Sequence, residues 1–326
     1  MTDRLRAVFL GSGAFAVPVL DLLASASAWT VVAVVSAPPR PAGRGAVPMR
    51  TPVHVRADEL GLPTLTPERL RTPGAIEALG RLAPDLLVLA DYGQIVPSAV
   101  LALPQHGALN LHPSLLPRHR GASPIAAAIL AGDAETGVSL MLMDDGLDTG
   151  PIIARVRLAL DGSEVAPALE RVLAAMAADL LARSLEPWLA GDLAAEPQAA
   201  DAATLTRPLR REQGRLDPAQ GVARLARMVR AYQPWPGTWF ETDGGRVVIW
   251  AAEPAAASVL PGSPSVDERT IGQLGADDDG LAIEVADGRL RLLEVQAGGG
   301  RRMSAAELRR GRPNLVGSRV VVPSLG

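Results

Sequence analysis

Short apolar runs alternate with helix-like stretches through the first half of this chain, and that alternation constrains its fold more than any other feature. LRAVFL (5–10), VVAVV (31–35), DLLVLA (85–90), GALNLH (107–112) and GVSLMLM (137–143) read as strands, the near-continuous apolar ones as buried. Helical patterns fall between them at 14–25, 74–82 and 123–131. Such alternation implies an α/β domain with a mostly parallel sheet covered on both faces.

The pattern then changes. A long helix carries Leu169, Leu173, Met176, Leu180, Ser184 and Trp188 along one stripe, with Gly191 as its stop. The stretch after it lacks an apolar period. Beyond Pro236 come short strands, GTWFE, RVVIWA, LAIEVA, RLRLLEV and SRVVV, joined by glycine- and acid-rich turns that suit a small β-barrel. Ser304-Ala305-Ala306-Glu307 is a capping box that opens a brief helix. The expected organisation is a first domain over 1–190, a linker over 191–208 and a β-barrel domain over 209–326.

Composition removes several chemistries. The chain has no cysteine, so it has no disulfide, zinc-thiolate site or cysteine nucleophile. All 32 basic residues are arginine, which excludes a Schiff-base or Walker lysine. Ten aromatics are too few for a base-stacking surface. Residues 1–200 carry 15 arginines against 20 acids, and residues 201–326 carry 17 against 15. Within the second part, 204–232 has seven arginines and two acids, and 301–319 has six and one, so a polyanionic partner and an exposed arginine surface are both open readings. Arg4 and Arg6 before an apolar stretch imitate a secretory signal, but Asp3, Pro18 and Asp21 interrupt it, and the longest uncharged run, 92–117, holds four prolines. A cytoplasmic protein that does not cross a membrane is the expectation.

Three motifs carry candidate chemistry. Gly11-Ser12-Gly13-Ala14-Phe15-Ala16, after a strand and before a helix, reads either as a pyrophosphate cradle or as a plain tight turn. The acid that usually follows the next strand is absent, and Ser36 and Arg40 stand there, which leaves an NADP-dependent oxidoreductase as one alternative. In Leu109-Asn110-Leu111-His112-Pro113-Ser114-Leu115-Leu116-Pro117 a buried strand ends with an amide and an imidazole two residues apart, on one face. Met143-Asp144-Asp145-Gly146-Leu147-Asp148-Thr149-Gly150 offers three acids, either as a metal loop or as one acid facing His112. Asp, His and Asn without a nucleophilic Ser or Cys suggest acyl transfer to an external nucleophile.

LNLHPSLLPRHRGASPI followed by MDDGLDTGPI closely resembles the folate-dependent formyltransferases, and FLGSGAFAVPVL, RPAGRG, QPWPGTWFE and GRRMSAAELRRGR are similar to the members acting on methionyl-tRNA. The resemblance covers about residues 5–322 and implies a Rossmann-like formyltransferase domain joined to an OB-like barrel that contributes to tRNA binding. On matching positions it implies catalytic roles for Asn110, His112 and Asp148, and folate binding by Ser114, Leu115, Leu116 and Pro117. Arg40, Arg44, Arg50, Arg227 and Arg230 are the expected tRNA-binding residues. The implied formyl donor is 10-formyltetrahydrofolate, the acceptor is charged initiator methionyl-tRNA, and no metal or obligate protein partner is expected. A sugar-nucleotide formyltransferase and an RNA-binding protein without catalysis remain as alternatives. The chain departs from the family pattern at Ser12-Gly13-Ala14, at Ala46-Val47-Pro48-Met49, where lysines are usual, and at His119, where an aromatic is usual.

Overall fold

The structure, a computed structural model, describes residues 4–42, 47–255 and 271–321. Arg44 therefore lies outside the described residues. The chain forms two compact units, Met1–Ala128 with Ala134–Asp161 and Ala168–Arg207, and Ile129–Asp133 with Gly162–Pro167 and Pro208–Gly326.

The strands of the first unit are β1 (Leu5–Gly11), β2 (Trp29–Val35), β3 (Arg40–Ala42), β4 (Val47–Met49), β5 (Thr64–Leu65), β6 (Leu86–Ala90), β7 (Ala108–His112), β8 (Arg120–Gly121), β9 (Glu135–Leu142), β10 (Ile152–Ala159) and β11 (Leu205–Thr206). Seven of them form one sheet in the order β10-β9-β7-β6-β1-β2-β5. It is parallel from β5 to β7 and antiparallel at β7–β9 and β9–β10. β6 is buried along its whole length, as a strand covered on both faces must be. β10, at the edge, alternates half-buried and exposed positions after its first two residues.

Helices α1 (Val17–Ser25), α2 (Pro52–Glu59), α3 (Pro73–Arg81), α4 (Ser98–Leu101), α5 (Pro124–Ala131) and α6 (Ala166–Ala190) connect these strands or follow them. Proline in the first turn of α1, α2 and α3 supplies a preset φ where no amide donor is needed. Gly191, at φ 80°, ends α6. The carboxyl ends of β1, β2, β6 and β7 lie along one edge of the sheet, where open α/β sheets place their sites.

Of the expected linker 191–208, residues 191–207 belong to this first unit. Ile152 and Glu196 exchange backbone hydrogen bonds of 2.7 and 2.8 Å, and β11 pairs with β8 in parallel. These pairings are backbone to backbone, so no apolar period is needed to form them.

In the second unit α7 (Val222–Ala231) turns Leu225, Ala226, Met228, Val229 and Ala231 inward. Strands β12 (Thr238–Thr242), β13 (Gly245–Ala255), β14 (Leu274–Asp277), β15 (Gly280–Val285), β16 (Gly288–Ala297) and β17 (Arg302–Ser304) form an antiparallel sheet. Its order is β12-β13-β16-β15-β14, with β17 also on β16. The segment 317–321 joins its two edges, because Gly317 and Ser318 bond to Leu274 and Val321 donates to the Glu241 carbonyl. That bridging closes the sheet into the expected barrel. α8 (Ala305–Gly311) begins at the Ser304–Glu307 capping box, with both reciprocal bonds present.

Candidate active site

Asn110 and His112 stand on β7, where the chain leaves the carboxyl edge of the parallel strands. Period-two geometry puts both on one face. Asn110 is half-buried, and among the described residues its carboxamide bonds to no other protein group. His112 is buried. Its Nε2 lies 2.9 Å from the carbonyl oxygen of His119, and because a carbonyl only accepts, Nε2 carries the proton. Nδ1 then faces the Asp148 carboxylate, 3.6 Å from Oδ2.

The acid-rich loop sorts its three carboxylates into different tasks. Asp144 accepts from the Gly146 amide at 3.1 Å and the Thr149 hydroxyl at 2.7 Å, which folds the loop on itself. Asp145 accepts from Ser98 at 2.5 Å. Asp148 alone faces His112, and its Oδ2 also accepts from the Gly121 amide at 2.7 Å. Gly150 is required here, since a Cβ would stand 1.9 Å from the Leu142 carbonyl. Among the described residues no group of three or more His, Asp or Glu converges as a metal site would need.

The four residues expected to bind folate divide by burial. Ser114 is fully buried and donates to the Arg118 carbonyl at 2.7 Å, and Leu116 is buried as well. Leu115 and Pro117 are half-buried. Ser139 of β9 pins this loop by donating to the Ser114 carbonyl at 2.7 Å and accepting from the Leu116 amide at 3.0 Å.

The expected tRNA-binding arginines stand in different settings. Arg40, on the β3–β4 hairpin, and Arg50 after it are exposed, paired with Glu68 and Asp58 respectively. Arg227 and Arg230 are half-buried. The first donates to the Leu130 carbonyl at 3.0 Å, and burial pushes the Arg230 guanidinium below its ordinary value.

In the Gly11–Ala16 turn the amides of both residues after the first glycine are already committed. The Ser12 and Gly13 N–H groups donate to the Asp91 carbonyl at 2.9 and 3.4 Å, and the Asp91 carboxylate occupies the space a Cβ on Gly13 would take. Amides already spent and a carboxylate at the turn oppose a pyrophosphate, so the NADP alternative loses its site.

Sequence reasoning missed three residues that hold the site. Arg120 is buried, and its guanidinium donates to Gln198 Oε1 through Nε and Nη2 at 3.0 and 2.7 Å. The Gln198 amide donates in turn to the carbonyls of Asp148 and Gly150. Thr204 accepts from the His119 amide through its hydroxyl at 2.8 Å. A buried arginine could be suspected from Arg120 beside a glycine, but nothing in the polar 196–206 stretch marks its contacts as belonging here.

The chain matches the Formyl transferase family over residues 5–185 and the Formyl transferase, C-terminal domain family over 208–313. It is 44% identical to the methionyl-tRNA formyltransferase of Roseiflexus sp. (strain RS-1) over 94% of this chain and 92% of that one. Identity to the methionyl-tRNA formyltransferase of Thermus thermophilus is 42%, over 97% and 99%. Two solved structures share the fold at low identity. One is HypX from Aquifex aeolicus in complex with tetrahydrofolic acid, with TM-score 0.59, 18% identity, and 94% of this chain and 47% of that one covered. The other is an N-formyltransferase from Helicobacter canadensis in complex with folinic acid and dTDP-3-aminofucose, with TM-score 0.62, 14% identity, and coverage of 88% and 98%. With both of its units matched and relatives alike along nearly its whole length, the chain belongs to the formyl transferase family.

Proposed function

We propose that this chain transfers the formyl group of 10-formyltetrahydrofolate to the α-amino group of methionyl-tRNA. The observation that carries the reading is the Asn110 carboxamide, without a partner among the described residues, beside buried His112 and half-buried Asp148, in a chain over 40% identical to proteins named for this reaction. When bound, the folate supplies a formyl carbon bonded to a nitrogen that can leave.

The residues present suit such a ligand. Asn110 holds an amide donor free for an oxygen that gains negative charge. Ile95, 87% exposed after β6, and Leu147, 59% exposed in the Asp148 loop, leave apolar side chains at the carboxyl edge, the chemistry a flat ring system takes up. Buried Ser114 and Leu116 set the course of the 114–117 loop, and half-buried Leu115 and Pro117 are the members with surface to offer.

His112 and Asp148 handle the proton. With Nε2–H committed to the His119 carbonyl, the imidazole turns Nδ1 toward a carboxylate. When Nδ1 carries no proton, two electron-rich groups face each other. A proton released by the attacking amine at either Nδ1 or Oδ2 makes the pair attractive, and the pair passes that proton to the folate nitrogen as its bond to the formyl carbon breaks, acting as general base and then as general acid. Asn110 donates to the formyl oxygen during the same step, and the Gly121 amide keeps Asp148 in place.

Within this reading residues 1–190 form the catalytic domain, and 209–326 form a tRNA-binding domain reached through 191–208. Arg40, Arg44 and Arg50 engage the acceptor, and Arg227 and Arg230 act in the second domain. The protein works in the cytoplasm on charged initiator tRNA. No described helix is long and apolar enough to cross a membrane.

The test is formyl transfer from labelled 10-formyltetrahydrofolate to charged initiator methionyl-tRNA, charged elongator methionyl-tRNA and an amino-sugar nucleotide. Transfer to the initiator is expected. Transfer to the sugar nucleotide alone would overturn the acceptor assignment.

A further inference from the structure

Gln198 lies where two loops of the site meet. Its Nε2 donates to the carbonyls of Asp148 at 2.9 Å and Gly150 at 2.7 Å, and its Oε1 accepts twice from Arg120, at 3.0 and 2.7 Å. A primary amide has two N–H donors and two acceptor positions, so its hydrogen-bonding capacity is filled. Arg120 is followed by Gly121, whose amide donates to Asp148 Oδ2 at 2.7 Å. Asp148 itself sits at φ 52°, a left-handed conformation uncommon for L residues and best tolerated by Asn and Asp. Around Gln198 the segment 196–206 ties down both loops. Glu196 pairs with Ile152, Thr204 bonds to Pro117, His119 and Arg120, and Thr206 bonds to Arg120 and Ser123.

We propose that Gln198 is a positioning residue for formyl transfer. By holding the Asp148 and Gly150 carbonyls and the Arg120 guanidinium together, it fixes the Asp148 carboxylate opposite His112. This rests on the reaction proposed above. An apolar residue would fill the same space but would leave the buried Arg120 guanidinium and the two carbonyls without these partners. The amide is needed because it bridges a cation on one loop and two carbonyls on the other.

Two variants of the full chain separate positioning from packing. Gln198→Ala removes both sets of bonds. Gln198→Glu keeps the side-chain shape and gives Arg120 a carboxylate, but offers no proton to the two carbonyls. Both are expected to lower kcat by about 10- to 100-fold, the scale of an ångström-sized misplacement. KM for folate and for methionyl-tRNA should stay within about twofold, because ground-state binding is intact. Gln198→Glu should melt no lower than Gln198→Ala. Wild-type kcat in Gln198→Glu, or a loss carried by KM, would overturn the proposal. Amide exchange at Gly121 gives a readout independent of turnover. It should quicken by about tenfold or more in both variants as the Asp148 loop loosens, and unchanged exchange would overturn the proposal. If the wild-type chain transfers no formyl group to methionyl-tRNA, the reaction assignment fails, and Gly121 exchange alone decides whether Gln198 holds Asp148.

Discussion

His112 Nδ1 lies 3.6 Å from Asp148 Oδ2, near enough for the carboxylate to favour a proton at Nδ1 and too far for a hydrogen bond. With Nε2 bonded to the His119 carbonyl, Nδ1 is the imidazole atom open to a proton from the reaction. Asp148→Asn keeps the volume and removes the counter-charge. The single-turnover rate should fall by at least about 10². Binding of a non-reactive folate analogue and of methionyl-tRNA should change little, since the loss is in the transition state. Rapid-quench measurement at a fixed free magnesium level checks this, and a wild-type rate would remove Asp148 from the chemistry.

Asn110 differs from its neighbours in having no partner inside the protein among the described residues. Removing its amide therefore breaks no native bond. Asn110→Ala should leave the melting temperature close to that of the wild type and lower the transfer rate by about 10² to 10³, the usual cost of one oxyanion donor. A large loss of stability with a small loss of rate would identify Asn110 as structural instead.

The sheet was legible because its strands are apolar runs closed by turn residues, and β1, β2, β6, β7 and β9 fall where those runs lie. β10 was missed because an edge strand with one face in solvent alternates arginine with apolar residues, as Arg155 and Arg157 do. β5, β8 and β11 were missed because two residues carry no period. Asn110 and His112 were visible as polar residues where the burial pattern called for apolar ones. Gln198 and Thr204 were not, because their contacts depend on where a polar segment is laid down in space, and local sequence does not record that. Arg227 and Arg230 read as a basic face from charge alone, whereas the packing of α7 half-buries them.

Glu170, on α6, is half-buried, and burial raises its carboxyl above the usual range with the Asp91 carboxylate adding to the effect. A carboxyl with a higher pKa folded than unfolded holds its proton longer in the native state. Its contribution favours folding at low pH and is lost as pH rises from the unfolded value through the folded one. Glu170→Gln should therefore melt higher than the wild type at pH 7, with the difference vanishing below about pH 4, where the unfolded carboxyl is also protonated. Melting curves across that range check the sign, and a variant less stable at pH 7 would show that ionised Glu170 is a net stabiliser.

Arginines in the second unit differ in how free they are to meet phosphate. Arg224 is exposed and bonded only to Gln220, and Arg310 is exposed near the end of α8 with no partner among the described residues. Arg227, by contrast, is tied to the Leu130 carbonyl, and Arg230 to that of Ala226. If this unit binds tRNA through its backbone, affinity should fall linearly with log salt, each neutralised phosphate adding about 0.7 to 0.9 to the slope. Replacing Arg224 and Arg310 together with alanine should flatten that slope by about 1.4 to 1.8 and weaken binding to initiator and elongator tRNA alike. Replacing Arg227 and Arg230 should instead lower the melting temperature, with a smaller change in slope. Affinity measured by filter binding at four or five salt concentrations distinguishes the two pairs. An equal slope in the Arg224–Arg310 variant and the wild type would mean those two side chains meet no phosphate. A flattened slope in the Arg227–Arg230 variant at unchanged stability would give the phosphate contacts to the half-buried pair.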